Sequence, residues 1–122
     1  MTQPLTREEF EDAVADALDE IPQDLLDRLE NVVFLIEDEP TPEQKPEHAD
    51  LLGLYVGVPL PARMDSYLYG SMPDRIYLFQ GPLTRHSRDR DELVEQIRVT
   101  TLHEIGHFFG IDDDRLHELG WG

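Results

Sequence analysis

His103-Glu104-Ile105-Gly106-His107-Phe108-Phe109-Gly110-Ile111-Asp112-Asp113 is the stretch around which the chain is organised. Two histidines four residues apart project from the same helix face about one turn apart, so both imidazoles can reach a single metal ion. Glu104 is rotated by roughly 100 degrees from His103. That puts it beside such an ion, where a general base for a water must stand. Gly110 ends the predicted helix, because glycine tolerates the left-handed conformation that closes many helices. Asp113 follows close enough for the reversed chain to swing it back over the histidines. A His-Glu-x-x-His arises by chance in such a chain on the order of a few times in a thousand, and Gly and Asp at set offsets lower that by about two further powers of ten.

A catalytic zinc site takes three protein ligands and keeps one position open. The expected set is His103, His107 and Asp113 holding Zn2+, with Glu104 as the catalytic residue. Alternatives stand beside it. His117 lies one turn further on and is a second candidate for the third ligand; Asp113 or Asp114 can instead cap a final helix. Histidines near a helix C-terminus are also favourable with the dipole when no metal is bound.

Outward from this stretch, Asp89 or Asp91 can cap the helix that carries Leu93, Val94, Ile97, Thr101 and Ile105 toward a core. At the other end of the chain, Thr6 and Glu9 form a capping-box pattern. Phe10, Ala13, Val14, Ala17, Leu18 and Ile21 then draw one apolar helical face that stops near Pro22. A short helical turn is expected over 24–29 and a last short helix over 114–119. Three runs read as strands: 31–36 as a buried one, 51–58, and 75–80 as an edge strand beside a cleft. Glycines at 53 and 57 suggest a bulge or a close backbone approach. Gly81-Pro82 should end the third strand ahead of a polar turn. Residues 40–50, with His48 as a solvent histidine, and 62–74 read as loops, the second long enough to be functional. The fold class is α+β: a small mixed sheet on an N-terminal helix and an active-site helix, with a short C-terminal helix.

Composition narrows the function. Against 27 Asp and Glu stand 10 Lys and Arg, a formal net charge of −17. That field repels a phosphate backbone or an anionic membrane surface, so no nucleic-acid and no membrane partner is expected. The chain has no Cys, so any metal site must use histidines and carboxylates. The first residues lack the basic and apolar regions of a signal peptide, and no run is long enough to span a bilayer, which makes the cytoplasm the expected location. Residues 1–122 are expected to form one domain.

The pattern His103-Glu104-x-x-His107-x-x-Gly110-x-x-Asp113 resembles that of the Asp-zincins, a branch of the zincin metallopeptidases. Leu52-Gly53-Leu54-Tyr55, Pro73-Asp74-Arg75-Ile76 and the residues from Gly110 to Leu116 resemble a bacterial family of one-domain minimal zincins regarded as possible metallopeptidases. The resemblance implies an active-site helix under the sheet and a substrate cleft along its edge strand. It also implies His103, His107 and Asp113 as ligands and Glu104 as general base. The implied activity is hydrolysis of peptide bonds in a peptide or protein substrate by a zinc-activated water. Tyr67, Tyr69, Arg115 and His117 are candidate oxyanion donors. One departure supports a competing reading, a zincin-fold module that binds metal and peptide without turnover. Only nine residues follow Asp113 and none is Met, whereas zincins usually add a C-terminal wall and metzincins a methionine turn. Trp121 is a candidate for part of that floor.

Overall fold

The computed structural model describes residues 5–29, 31–44, 50–57 and 73–118. Their order is α1 (Arg7–Asp19), α2 (Gln23–Asp27), β1 (Val32–Glu37), β2 (Gly53–Val56), β3 (Asp74–Phe79), α3 (Gln80–Arg85), α4 (Arg90–Phe108) and α5 (Asp113–Glu118). The class is α+β, as expected. Among the described residues no helix is long and apolar enough to cross a membrane.

Helix α1 starts where its capping box forms. The Glu9 N–H donates to Thr6 Oγ1 and the Thr6 N–H donates to Glu9 Oε1, each at 3.1 Å. Its apolar face buries Phe10, Ala13, Val14 and Ala17 against Leu78 of β3, Leu83 of α3, and Leu93 and Ile97 of α4. Removing those side chains from water is the main stabilising term, at about 25 cal/mol per Å² of apolar surface. The Arg7 guanidinium then ties the start of α1 to the end of β1 and the start of α3. It donates to Gln80 Oε1 at 2.8 Å and to the Ile36 carbonyl at 3.0 Å, and it pairs with Asp38.

The sheet is mixed, with strand order β1-β3-β2. β1 runs parallel to β3 with Val32 opposite Asp74, and β2 runs antiparallel to β3 with Tyr55 opposite Ile76. Two expectations are corrected here. The strand at 31–36 is not the buried one: it lies at the sheet margin, and Val33 is 39% exposed. The strand at 75–80 is not the edge: it is paired on both sides, and it buries Ile76, Leu78 and Phe79 completely. Both runs are short, β-branched and aromatic, so hydrophobicity does not distinguish a central from a marginal strand. β2 holds the edge position beside α4.

A third correction follows β3. Gly81-Pro82 does not open a polar turn but lies in the first turn of α3. Proline is tolerated there because a first-turn N–H has no helical partner to lose. Ser87 Oγ donates to the Leu83 carbonyl at 2.8 Å at the far end of α3.

Helix α4 is capped by Asp89, whose Oδ1 accepts from the Glu92 N–H at 2.8 Å. Its first half shows a single buried stripe, Leu93 and Ile97. From Thr100 onward burial extends nearly all round, through Thr101, Leu102, Glu104, Ile105, Gly106 and Phe108. The end of the helix that carries the histidines therefore runs through the interior.

Candidate metal centre

The C-terminus of α4 sets the geometry. Gly110 has φ 78°. Its N–H donates to the His107 carbonyl, and the Ile111 N–H donates to the Gly106 carbonyl, both at 2.9 Å. These two bonds are a Schellman closure, which satisfies the last carbonyls and turns the chain back on itself. Asp112 then caps α5, with Oδ1 accepting from the Arg115 N–H at 2.9 Å. The cap is thus Asp112, not Asp113 or Asp114, and α5 begins at Asp113 instead of 114. Leu116 anchors α5 by packing, fully buried, onto Gly106, where a Cβ would collide with its Cδ2.

This return path brings the Asp113 carboxylate to the histidines. His103 Nε2 and His107 Nε2 lie 3.1 Å apart, and Asp113 Oδ1 lies 3.3 Å from each. Ligands of a tetrahedral ion with bonds near 2.0 Å are separated by roughly 3.3 Å. The three atoms therefore have the spacing of one face of such a tetrahedron, and nitrogen and carboxylate donors suit zinc. Exposure leaves the face reachable: the imidazoles are 28% and 32% exposed, and Asp113 is 77% exposed.

Glu104 occupies a different environment. It is only 7% exposed, and its Oε1 accepts the Tyr55 N–H of β2 at 2.8 Å. Its carboxylate belongs with the two imidazoles to a group whose ligand atoms lie within 4.8 Å of one another. Burial pushes its carboxyl up to about 7, with the Tyr55 hydrogen bond opposing and the Asp113 charge adding to the rise. Burial also pulls His107 below the ordinary histidine range, and the His103 charge adds to this. Asp113 and a hydrogen bond to the Ile111 backbone act the other way. A histidine held neutral presents a lone pair to a metal.

The four residues line a cavity of about 610 Å³ whose opposite wall is Gly53, Leu54, Tyr55 and Gly57. β2 can approach α4 this closely because residue 53 has no side chain. A Cβ there would stand 2.6 Å from Thr100 Cγ2 and 3.0 Å from the Tyr77 carbonyl oxygen. That is the close approach its glycine suggested. Tyr55 is the site residue that sequence reasoning missed, because its contribution is a main-chain N–H and carries no side-chain signature. Its ring is held by an edge contact with Phe108, centroids 6.2 Å apart, and its hydroxyl donates to the buried Asp74 carboxylate at 2.6 Å.

Other candidates fall away from the centre. His117 is exposed and does not line the cavity. Arg115 does not line it either, and its guanidinium donates to Glu118 Oε2 at 2.9 Å. His48, Tyr67, Tyr69 and Trp121 lie outside the described residues, as does most of the expected loop over 62–74.

A family model described as zincin-like metallopeptidase matches residues 29–121, which include the whole site. No curated protein gives a significant match. Among solved structures, a conserved hypothetical protein from T. thermophilus is similar, with 24% sequence identity and a TM-score of 0.55, over 94% of this chain and 97% of that one. At that identity the likeness concerns the fold.

Proposed function

The chain belongs to the zincin-like metallopeptidase family, and we propose that it is a zinc-dependent peptide hydrolase. In this reading His103, His107 and Asp113 hold the metal and Glu104 is the general base. The observation that carries it is the triangle of Nε2, Nε2 and Oδ1 atoms, 3.1, 3.3 and 3.3 Å on its sides, beside a buried carboxylate. When bound, zinc supplies Lewis-acid polarisation of a carbonyl and makes a nearby water acidic enough to react at neutral pH.

The protein groups supply the rest. With a carboxyl near 7, Glu104 can take a proton and return one to a leaving amine at neutral pH. The Tyr55 N–H holds one of its oxygens and leaves the other for the cleft. On an antiparallel edge, alternate residues turn their backbone groups away from the neighbouring strand. The Leu52 carbonyl bonds to the Phe79 N–H of the strand beside it, so Gly53 and Tyr55 are the residues that face outward; the Tyr55 N–H is taken by Glu104, which leaves Gly53 to meet an incoming backbone. An extended peptide laid along β2 would be recognised through its backbone. The net charge of −17 favours the approach of neutral or basic peptides over acidic ones at low salt.

The test is zinc titration of chelator-stripped protein by calorimetry, followed by digestion of a peptide library with wild type and Glu104→Gln. One zinc per chain, with cleavage that disappears in Glu104→Gln while zinc is retained, is the expected result. Zinc binding with no cleavage by either protein would leave a metal-dependent binding module instead.

A further inference from the structure

Tyr55 is fixed at three points, two on α4 and one on β3. Its N–H donates to Glu104 Oε1 at 2.8 Å, its ring packs edge-on against Phe108 with centroids 6.2 Å apart, and its hydroxyl donates to Asp74 Oδ2 at 2.6 Å. We propose that the bond between the Tyr55 hydroxyl and Asp74 sets the Tyr55 N–H on Glu104, which makes Asp74 a positioning residue for the general base although it does not line the metal cavity. The inference rests on the peptidase reading and deepens it by naming what orients its base.

The ladder alone does not set that N–H. β2 has four residues, and the Tyr55 N–H faces away from β3, so pairing with β3 leaves its direction open. The side chain supplies what the ladder does not. Tyr55 is opposite Ile76, and Asp74 lies two residues before Ile76 on the same face of the sheet. That is the diagonal position, within reach of a long aromatic side chain. With its ring against Phe108 and its hydroxyl on Asp74, Tyr55 is held against rotation about the strand axis, the motion that would carry its N–H off Glu104. The N–H in turn selects one rotamer of the glutamate, in which the other oxygen is left to the cleft.

Asp74 is built into the sheet in a way that suits this task. It is only 8% exposed, and its own N–H donates to the Asn31 carbonyl at 2.9 Å, which fixes it where β3 starts beside β1. The 2.6 Å between the two oxygens lies in the range of a charge-assisted O–H···O bond, among the stronger hydrogen bonds a side chain makes. Gly57 leaves the carboxylate its room. A Cβ there would collide with the Asp74 carboxyl carbon and stand 2.5 and 2.7 Å from its oxygens. Contacts therefore run from the central strand through the edge strand to the base.

The test uses full-length wild type, Tyr55→Phe, Asp74→Asn and Asp74→Ala. Zinc affinity is read by calorimetry, amide hydrogen exchange by NMR in chelator, and kcat and KM on a peptide that library digestion shows to be cleaved. In Tyr55→Phe the amide of residue 55 should exchange about tenfold faster or more, while the core amides of Ile76, Leu78 and Ile105 keep their rates; a general loss of stability would speed all of them together. kcat should fall about tenfold, part of the roughly hundredfold or more that a placed general base contributes, with KM and zinc affinity within about twofold of wild type. Asp74→Asn keeps an acceptor oxygen and should retain most of the rate, whereas Asp74→Ala should match Tyr55→Phe. Should the Asp74 variants not fold, Tyr55→Phe, which keeps the ring, decides. In Glu104→Ala the acceptor is gone, so that amide should already exchange fast, and adding Tyr55→Phe should change it little. Additive effects on exchange, an unchanged kcat, a loss confined to KM, or loss of zinc would overturn the proposal. A wild type that cleaves nothing sinks the peptidase reading, and the exchange cycle alone then decides the positioning. Turnover that Tyr55→Phe leaves intact keeps the enzyme and sinks the positioning.

Discussion

The Tyr55 N–H donates to Glu104 Oε1 at 2.8 Å, joining the edge strand to the carboxylate at the metal centre. Burial outweighs this bond and lifts the carboxyl from 4.5 to about 7. A carboxyl raised in the folded state binds its proton more tightly there than in the unfolded chain. Stability of the metal-free protein therefore falls as pH rises between those two values. The full effect is on the order of 3 kcal/mol, at about 1.4 kcal/mol per unit. Glu104→Gln cannot titrate, so in chelator the variant should gain on wild type from pH 4.5 to 7 and hold that gain above it. Urea denaturation of both proteins at about pH 5 and pH 8, on either side of most of that window, measures this, and parallel pH profiles would refute it.

Asp112 and Asp113 are adjacent and exposed, yet they divide two tasks. Asp112→Ala removes the Arg115 N–H acceptor and should cost about 1 kcal/mol of stability, the usual worth of such a cap. Asp113→Ala removes no cap and should leave the metal-free melting temperature nearly unchanged, as for an ordinary surface substitution. Its zinc affinity should fall by more than about a hundredfold, beyond the effect of losing a residue that only supports a ligand. Melting curves in chelator and zinc titrations of the two variants provide the comparison. The roles would be misassigned if Asp112→Ala were the variant that lost zinc.

Much of this was legible in the sequence, because the signals were local. Thr6 with Glu9, the apolar face from Phe10 to Ala17, and His103, His107 and Asp113 around Gly110 all depend on spacing along one element and its cap. What was not legible depends on neighbours. Exchanging the roles of 31–36 and 75–80 requires knowing which strand pairs on both sides, and no periodicity encodes that. The burial of α4 beyond Thr100 breaks the amphipathic pattern, since β2 and α5 cover faces that would otherwise meet water. The Tyr55 contribution is invisible because every non-proline residue has an N–H.

Gly53 carries a steric prediction. Gly53→Ala places a methyl group 2.6 Å from Thr100 Cγ2 and 3.0 Å from the Tyr77 carbonyl oxygen. Overpacking of this kind costs about 1–3 kcal/mol. Thr100→Ser in the same chain deletes the nearer obstacle and should recover part of the loss, while the Tyr77 backbone keeps the rest. Chemical denaturation of the single and double variants reads the coupling directly. Simple additivity would mean that β2 moves away from α4 instead of pressing on it.

Gly106 and Leu116 give the last prediction, in which stability and metal binding separate. Alanine is the better helix former by about 1 kcal/mol, so Gly106→Ala has a local gain inside α4. Its Cβ would collide with Leu116 Cδ2 and stand 3.2 Å from Cγ, so the buried leucine must shift as a whole. Leu116 holds α5 down, and the first residue of α5 is Asp113. Displacing the leucine moves the Asp113 carboxylate away from the position 3.3 Å from both imidazoles. Zinc affinity should therefore fall about tenfold or more, a loss typical of disturbed ligand support, while the helical gain offsets part of the overpacking cost of about 1–3 kcal/mol, so the melting temperature in chelator falls by only a few degrees. Combining Gly106→Ala with Leu116→Ala relieves the clash but removes the anchor, so affinity should stay low. Recovery of full zinc affinity in the double variant would show that Asp113 is positioned by the Gly110 turn alone.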